Sequence, residues 1–359
     1  MTRLPLAPGS LIHGEPRQCS GVITGGRCRF LRRGLLVWLL LGATGLAGCD
    51  SGTRAGTPPA ELPVVEVLEP KAIPAGTLTL PNESQSIKFA IIGDSGRGSA
   101  QQKAVAAQMD AFRQRFDYRF VLMAGDNIYE GPASPEDYRV KFEEPYAALL
   151  EGGVTFFAVL GNHDDPLQVN YKPFNMNGHR YYTFTPPADL IARLATRVRF
   201  FALDSTYLEF EQLGWLTREL SRSNAEWKIA LLHYPLYSSG RYGLRARQQR
   251  FALESRFVDG GIDAVFSGHE HFYERSELQN GILYFVSGGA GSLREGDARP
   301  SPSIARSYDR DYHFMLIEIA DETLSFQAIN SKGETVDAGT LRHVKKKTSG
   351  TTEDSSGPH

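Results

Sequence analysis

Five short clusters carry most of the residues able to do chemistry: Gly93-Asp94-Ser95-Gly96, Gly125-Asp126-Asn127-Ile128-Tyr129, Gly161-Asn162-His163-Asp164, His233-Tyr234-Pro235 and Gly268-His269-Glu270-His271. Each offers oxygen or imidazole nitrogen, and together they suit two hard or borderline metal ions. Several follow an apolar run directly, as Asp126 follows Phe120-Val121-Leu122-Met123-Ala124. A carboxylate left unpaired beside a core is costly, so such a residue needs a partner or a cation. Asp126 is the residue expected to bridge the two ions. Taken singly, Asp94 and Asp126 also read as turn aspartates beside glycine, Tyr129 as a packing aromatic, and His269 and His271 as solvated histidines. Five clusters in order favour one shared site. His269 and His271 alternate, and on an extended segment both would face one side.

Something must bring these clusters together. The apolar runs Ile87 to Ile92, Tyr118 to Ala124, Val154 to Leu160, Val198 to Leu203, Trp227 to Leu232, Ile262 to Phe266, Ile282 to Val286 and Phe314 to Ile319 read as buried strands. Helical patterns fall between several of them. Val105, Met109, Phe112 and Phe116 form one stripe, and Ser134-Pro135-Glu136-Asp137 is a helix start before Tyr138, Phe142 and Leu149. Leu213, Leu216 and Leu220 form another stripe, and Leu244 to Val258 a further helix stopped by Gly260-Gly261. Strands alternating with helices predict an α/β domain, here residues 85–343, with its site beyond the carboxyl ends of the strands. Ser287-Gly288-Gly289-Ala290-Gly291 is expected to line that site as a tight loop, because no Lys-Ser/Thr follows to make it a phosphate cradle.

The chain has 359 residues, 41% hydrophobic and 22% charged, a globular composition. Its formal charge is −2, but residues 1–48 hold six arginines against one acid, so the remainder carries −7. An acidic body has no electrostatic footprint for nucleic acid. Arg27, Arg29, Arg32 and Arg33 precede fourteen apolar or small residues, Leu35 to Gly48, too short a stretch to span a bilayer comfortably. Residues 1–48 read as a signal peptide, and Leu46-Ala47-Gly48-Cys49 resembles the lipobox of bacterial lipoproteins, in which the cysteine carries lipid. An ordinary cleaved signal with a chance cysteine is the competing reading. Residues 50–84 are expected to be a linker and lead-in, and residues 344–359 a disordered polar tail. All three cysteines, Cys19, Cys28 and Cys49, lie at or before the lipobox, so the domain has no disulfide to form.

In order and spacing the five clusters resemble the calcineurin-like metallophosphoesterase superfamily, and Tyr129 narrows the resemblance to the purple acid phosphatases. The segment "LGWLTRELSRSNAEWKIALLHYPLYS" is similar to the tartrate-resistant branch, and "SGHEHFYER" to larger plant enzymes. The resemblance implies a β-sandwich flanked by helices, a four-layer αββα arrangement with metals at the strand ends. It implies Fe(III) held by Asp94, Asp126, Tyr129 and His271, and a divalent ion (Fe, Zn or Mn) held by Asp126, Asn162, His233 and His269. His163 would be the catalytic acid and, with Asn162, a phosphate contact. The tyrosine then has a physical reason: a phenol ionises near pH ~10 and becomes a ligand readily only beside a highly charged cation.

One departure stands out. The tartrate-resistant branch has a further histidine in the loop after His-Tyr-Pro, whereas Ser238-Ser239-Gly240-Arg241-Tyr242-Gly243 has none. Arg241 is a candidate phosphate contact in its place, and a solvated charge is the alternative. The expectation is an exported, lipid-anchored acid phosphatase acting on small phosphomonoesters. A phosphodiesterase acting on nucleotides or phospholipid head groups is the alternative, and a non-catalytic binding protein on the same fold is the rival of another class.

Overall fold

The structure, a computed structural model, describes residues 63–191 and 196–343. The expected signal peptide, the lipobox-like segment with Cys49, residues 50–62 of the expected linker and the tail from residue 344 lie outside the described residues. Among the described residues, no helix is long and apolar enough to cross a membrane.

Fourteen strands are described: β1 (Val64–Val67), β2 (Ile87–Ile92), β3 (Phe120–Met123), β4 (Thr155–Ala158), β5 (Tyr182–Phe184), β6 (Val198–Ala202), β7 (Trp227–Leu231), β8 (Ala264–Ser267), β9 (Tyr273–Ser276), β10 (Leu283–Ser287), β11 (Ile304–Tyr308), β12 (His313–Ala320), β13 (Thr323–Asn330) and β14 (Thr335–Arg342). The eight apolar runs each form one. They make two seven-stranded sheets, ordered β1-β14-β13-β12-β2-β3-β4 and β11-β9-β10-β8-β7-β6-β5. Within the first, β2, β3 and β4 are parallel; within the second, β6, β7, β8 and β10 are parallel.

The period of two along each strand builds the layers. Phe89, Ile91, Phe120 and Leu122 point from the first sheet into a core shared with Phe200, Ile229, Leu231, Phe266 and Phe285 of the second. The alternate residues Ala90, Ile92, Val121 and Met123 pack outward on Val105, Met109 and Phe112 of the helix Ala100–Arg113. On the far side, Phe201, Ala230, Leu232 and Val265 pack on Leu216 and Leu220 of the helix Phe210–Arg222 and on Leu253 and Phe257 of the helix Gly243–Gly260. The result is the expected four-layer αββα sandwich, its central strands buried on both faces.

Local signals explain the differences. Ser134 caps its helix with a full capping box, yet the α-helix ends at Tyr138 and continues as a wider π-type turn, Arg139–Glu143. Gly261 stops the last long helix at φ 69°, and Ile262 still donates its N–H back to Phe257, so β8 starts at Ala264 rather than Ile262. Leu244 and Val258, the ends of that helical run, face solvent, and its buried stripe is Ala246, Gln249, Leu253 and Phe257. β1 extends the first sheet by pairing with β14.

Candidate metal centre

The carboxyl ends of β2, β3 and β4 and of β7 and β8 lead directly into the five clusters, so the two sheets deliver them to one place. Asp94, Asp126 and His271 are buried, and one ligand atom from each lies within 4.8 Å of the other two. Tyr129 joins them: its hydroxyl donates to Asp94 Oδ1 at 3.2 Å and lies 3.1 Å from His271 Nε2. Backbone bonds lock the clusters together, with Asp94 N–H donating to Gly125 O at 3.0 Å and Tyr129 N–H to Gly96 O at 2.9 Å.

A second set stands beside the first. His233 Nδ1 contacts the carbonyl of Ala124 at 2.9 Å; a carbonyl only accepts, so Nδ1 carries the hydrogen. Its Nε2 is thereby directed at Asn162 Oδ1 (3.1 Å) and Asp126 Oδ1 (3.5 Å). The His269 ring lies 5.1 Å from that of His233. Asp126 is therefore shared between the two sets.

These residues fit metal ions on their own chemistry. Among the described residues, no lysine or arginine forms an ion pair with Asp94 or Asp126; the bases that reach them are His271 and His233. Two buried carboxylates, a phenol and four neutral-capable donors in one space need cationic charge to be stable. Burial would raise the Asp94 pKa, but the hydrogen bond and charge of His271 and the nearby His233 outweigh it and hold it at about 2. Burial, reinforced by Asp94 and Asp126, pushes the Tyr129 phenol well above its ordinary range, so only a strongly charged cation would ionise it. Burial and then His233 drive His269 down to about 2, leaving a neutral imidazole with lone pairs to offer.

The backbone is strained where the site is built. Asp94 (φ 55°), Asp126 (φ 52°) and His269 (φ 70°) are left-handed, a conformation that costs a non-glycine residue about 1–2 kcal/mol. The segment carrying His269 and His271 is thus bent rather than extended, correcting the expected alternation. His271 reaches Asp94 and Tyr129, while His269 turns toward His233.

His163 lies at the open side. Its backbone N–H donates to Asp126 Oδ1 at 2.9 Å, its side chain is exposed, and its ring centroid is 4.9 Å from that of Tyr129. Asn162 is exposed beside it. The glycine loop lines the site as expected: a Cβ on Gly288 would stand 2.8 Å from Asp94 Oδ2. Arg241 is half-exposed and donates from Nε to Asp297 at 2.7 Å, so its charge is already paired with a buried carboxylate that is not among the seven candidate ligands. The neighbouring Tyr242, not Arg241, meets the site, with its ring 4.5 Å from that of His269.

Several supporting residues escaped sequence reasoning. Asp164 accepts from Gly161 N–H, Ile128 N–H, Asn127 Nδ2 and Gln168 Nε2, joining two clusters, and burial and Asp126 raise its pKa to about 6. Glu270 is fully buried and accepts from Tyr242 N–H at 2.9 Å and from Arg294 Nη1 at 3.1 Å. Arg294 also donates to the carbonyls of His269 and His271, clamping the bent loop. Asp164 and Glu270 sit inside the quoted clusters, a signal that was present; Arg294 lies in a loop with none. His313, outside the clusters, is buried against Tyr273, His179 is exposed, and His343 stacks on Trp227 and pairs with Asp263.

The calcineurin-like phosphoesterase family matches residues 87–273, which contain all five clusters and the strands that carry them. The chain belongs to that family. Among curated relatives it is 25% identical over 261 residues to purple acid phosphatase 17 of Arabidopsis thaliana, covering 64% of this chain and 77% of that one. It is 23% identical over 292 residues to tartrate-resistant acid phosphatase type 5 of Oryctolagus cuniculus, covering 70% and 89%. Among solved structures it superposes with a TM-score of 0.63 and 20% identity on GAP50, described as the anchor in the inner membrane complex of Plasmodium, covering 73% of this chain and 90% of that one. That likeness bears on the fold alone. The family and its purple acid phosphatase relatives make this calcineurin-like phosphoesterase a phosphoric ester hydrolase, a class in which two metal ions are implied and for which the buried Asp94, Asp126 and His271 cluster is present.

Proposed function

We propose that this phosphoesterase is an acid phosphatase that hydrolyses phosphomonoesters outside the cytoplasm, with Fe(III) held by Asp94, Asp126, Tyr129 and His271 and a divalent ion (Fe, Zn or Mn) by Asp126, Asn162, His233 and His269. The observation that carries the reading is the meeting of Tyr129 Oη with Asp94 Oδ1 and His271 Nε2 at 3.2 and 3.1 Å. When bound, such a pair supplies Lewis-acid polarisation of the phosphoryl oxygens and an acidified water.

The chain's own residues do the rest. His163, exposed yet pinned through its N–H to Asp126, is the proton donor to the leaving alcohol oxygen. Asn162 binds a phosphate oxygen from the same turn. His233 keeps its Nδ1 proton on Ala124 O and so presents Nε2 in a fixed direction. Tyr242, in the loop after His-Tyr-Pro, stands against His269, with Arg294 over the Tyr242 ring. The lipobox order at Leu46 to Cys49 supports export and lipid anchoring through Cys49. In that setting the substrate is a small phosphate ester.

The test is turnover of a monoester such as phenyl phosphate against its diester counterpart, before and after chelation. Monoester turnover that chelation removes and metal restores supports the reading; diester preference replaces it with a phosphodiesterase, and no turnover with either leaves a binding protein. Palmitate labelling that disappears in Cys49→Ser tests the anchor.

A further inference from the structure

Arg97 lies three residues beyond Asp94, and no role in ligation or substrate contact falls to it. Its guanidinium carbon sits 3.5 Å from the centroid of the Tyr129 ring. The stack is built rather than incidental. Arg97 Nε donates to Ser292 Oγ at 3.0 Å, Nη1 donates to Glu130 Oε1 at 3.2 Å, and the backbone N–H of Arg97 bonds to Gln102 Oε1 at 3.1 Å. Tyr129 is itself held in place: it is buried, its N–H donates to Gly96 O, and its carbonyl accepts from Lys141 Nζ at 2.6 Å. A planar cation is thus fixed on the face of the one aromatic ring assigned to iron. Its ion pair is with Glu130, which is largely exposed and only partly balances its charge.

We propose that Arg97 is an electronic tuning residue, which sets the absorption and the reduction potential of the ferric centre through the Tyr129 ring. The inference rests on the assignment of Tyr129 as an iron ligand. A cation over a π face stabilises the electrons of that face, and it does so more strongly for an ionised ring and in a partly dry site. Arg97 touches the ring rather than the metal ligands opposite, so it lowers the donor orbitals of the phenolate more than the acceptor orbitals of the iron. Two consequences follow with definite sign. Moving an electron from phenolate to iron takes more energy, which shifts the charge-transfer band to shorter wavelength. Weaker donation also disfavours Fe(III) relative to Fe(II), which raises the potential.

The experiment compares visible spectra and reduction potentials of iron-loaded wild type, Tyr129→Phe, Arg97→Leu, Arg97→Lys and Glu130→Gln, with iron content measured for each. Arg97→Leu is expected to move the band to longer wavelength and lower the potential. Arg97→Lys, which keeps charge but not the planar stack, is expected to fall between it and wild type. Glu130→Gln removes the balancing charge and is expected to shift both readouts the opposite way, which keeps the inference testable if Arg97→Leu does not fold. A Tyr129-dependent band that none of these variants moves overturns the role of Arg97 while leaving the iron assignment intact. Iron-loaded wild type with no band that Tyr129→Phe abolishes overturns the assignment and, with it, the inference.

Discussion

The backbone N–H of His163 donates to Asp126 Oδ1 at 2.9 Å, which ties the candidate acid to the carboxylate shared by both metal sets. The two residues nevertheless do separable work, because it is the backbone of His163 that binds Asp126 while its imidazole points to solvent. Asp126→Ala is therefore expected to empty both metal sets and to lower kcat/KM by at least ~10³-fold. Metal analysis of the purified variant beside its turnover checks this, and a variant that keeps two ions per chain would show that Asp126 is not shared.

His163→Ala keeps the N–H and removes only the ring. The expected outcome is unchanged metal content with kcat lowered about 10²- to 10⁴-fold, the range for loss of a general acid. Substrates with very good leaving groups should lose less, since they need no proton. An equal loss across a series of leaving groups would assign His163 to phosphate binding instead.

Gly161 is required by space alone. A Cβ there would lie 2.1 Å from Asp126 Oδ1 and 2.3 Å from the Asp126 backbone nitrogen. Gly161→Ala should displace the shared carboxylate, lowering stability by about 1–3 kcal/mol and weakening metal binding. Denaturation midpoints and metal content report both effects, and a variant as stable and as metal-replete as wild type would contradict this packing.

Glu270 links the site to pH. Burial, opposed by the Tyr242 N–H and Arg294, lifts its pKa from 4.5 to about 7. A raised acid is protonated in the folded state while already ionised in the unfolded chain, so the folded state binds more protons between those two values. Its contribution is thus full below pH 4.5 and is lost as pH rises toward 7, a change of about 3 kcal/mol. Glu270→Gln should remove that slope, and urea unfolding of both proteins at pH 5 and pH 8 measures it.

Much of this was legible because the strands are buried on both faces. Such strands read as continuous apolar runs, and five of the eight lead into a polar cluster, as β3 does before Asp126 and β8 before His269. Strands such as β13 and β14 were harder, because Thr335 to Arg342 mixes Asp, Gly and Thr with few large apolar residues. The bend at His269 was hidden for a different reason. A left-handed histidine leaves no trace in spacing, and what holds it are tertiary contacts: its N–H donates to Asp94 Oδ2 at 2.7 Å, and its carbonyl accepts from Arg294 Nη2 at 3.1 Å. The pairing of Arg241 with Asp297 was not legible, because a charge in a loop says nothing about whether a buried acid waits nearby.

The most direct measurement is a titration of chelated protein with iron and a divalent ion, following bound metal and phosphomonoester turnover together. Turnover that appears only as the second equivalent binds, and that is absent from the metal-free protein, is the predicted result. Full turnover without metal, or saturation at a single ion with full activity, would contradict a dinuclear site built from Asp94, Asp126, Tyr129, Asn162, His233, His269 and His271.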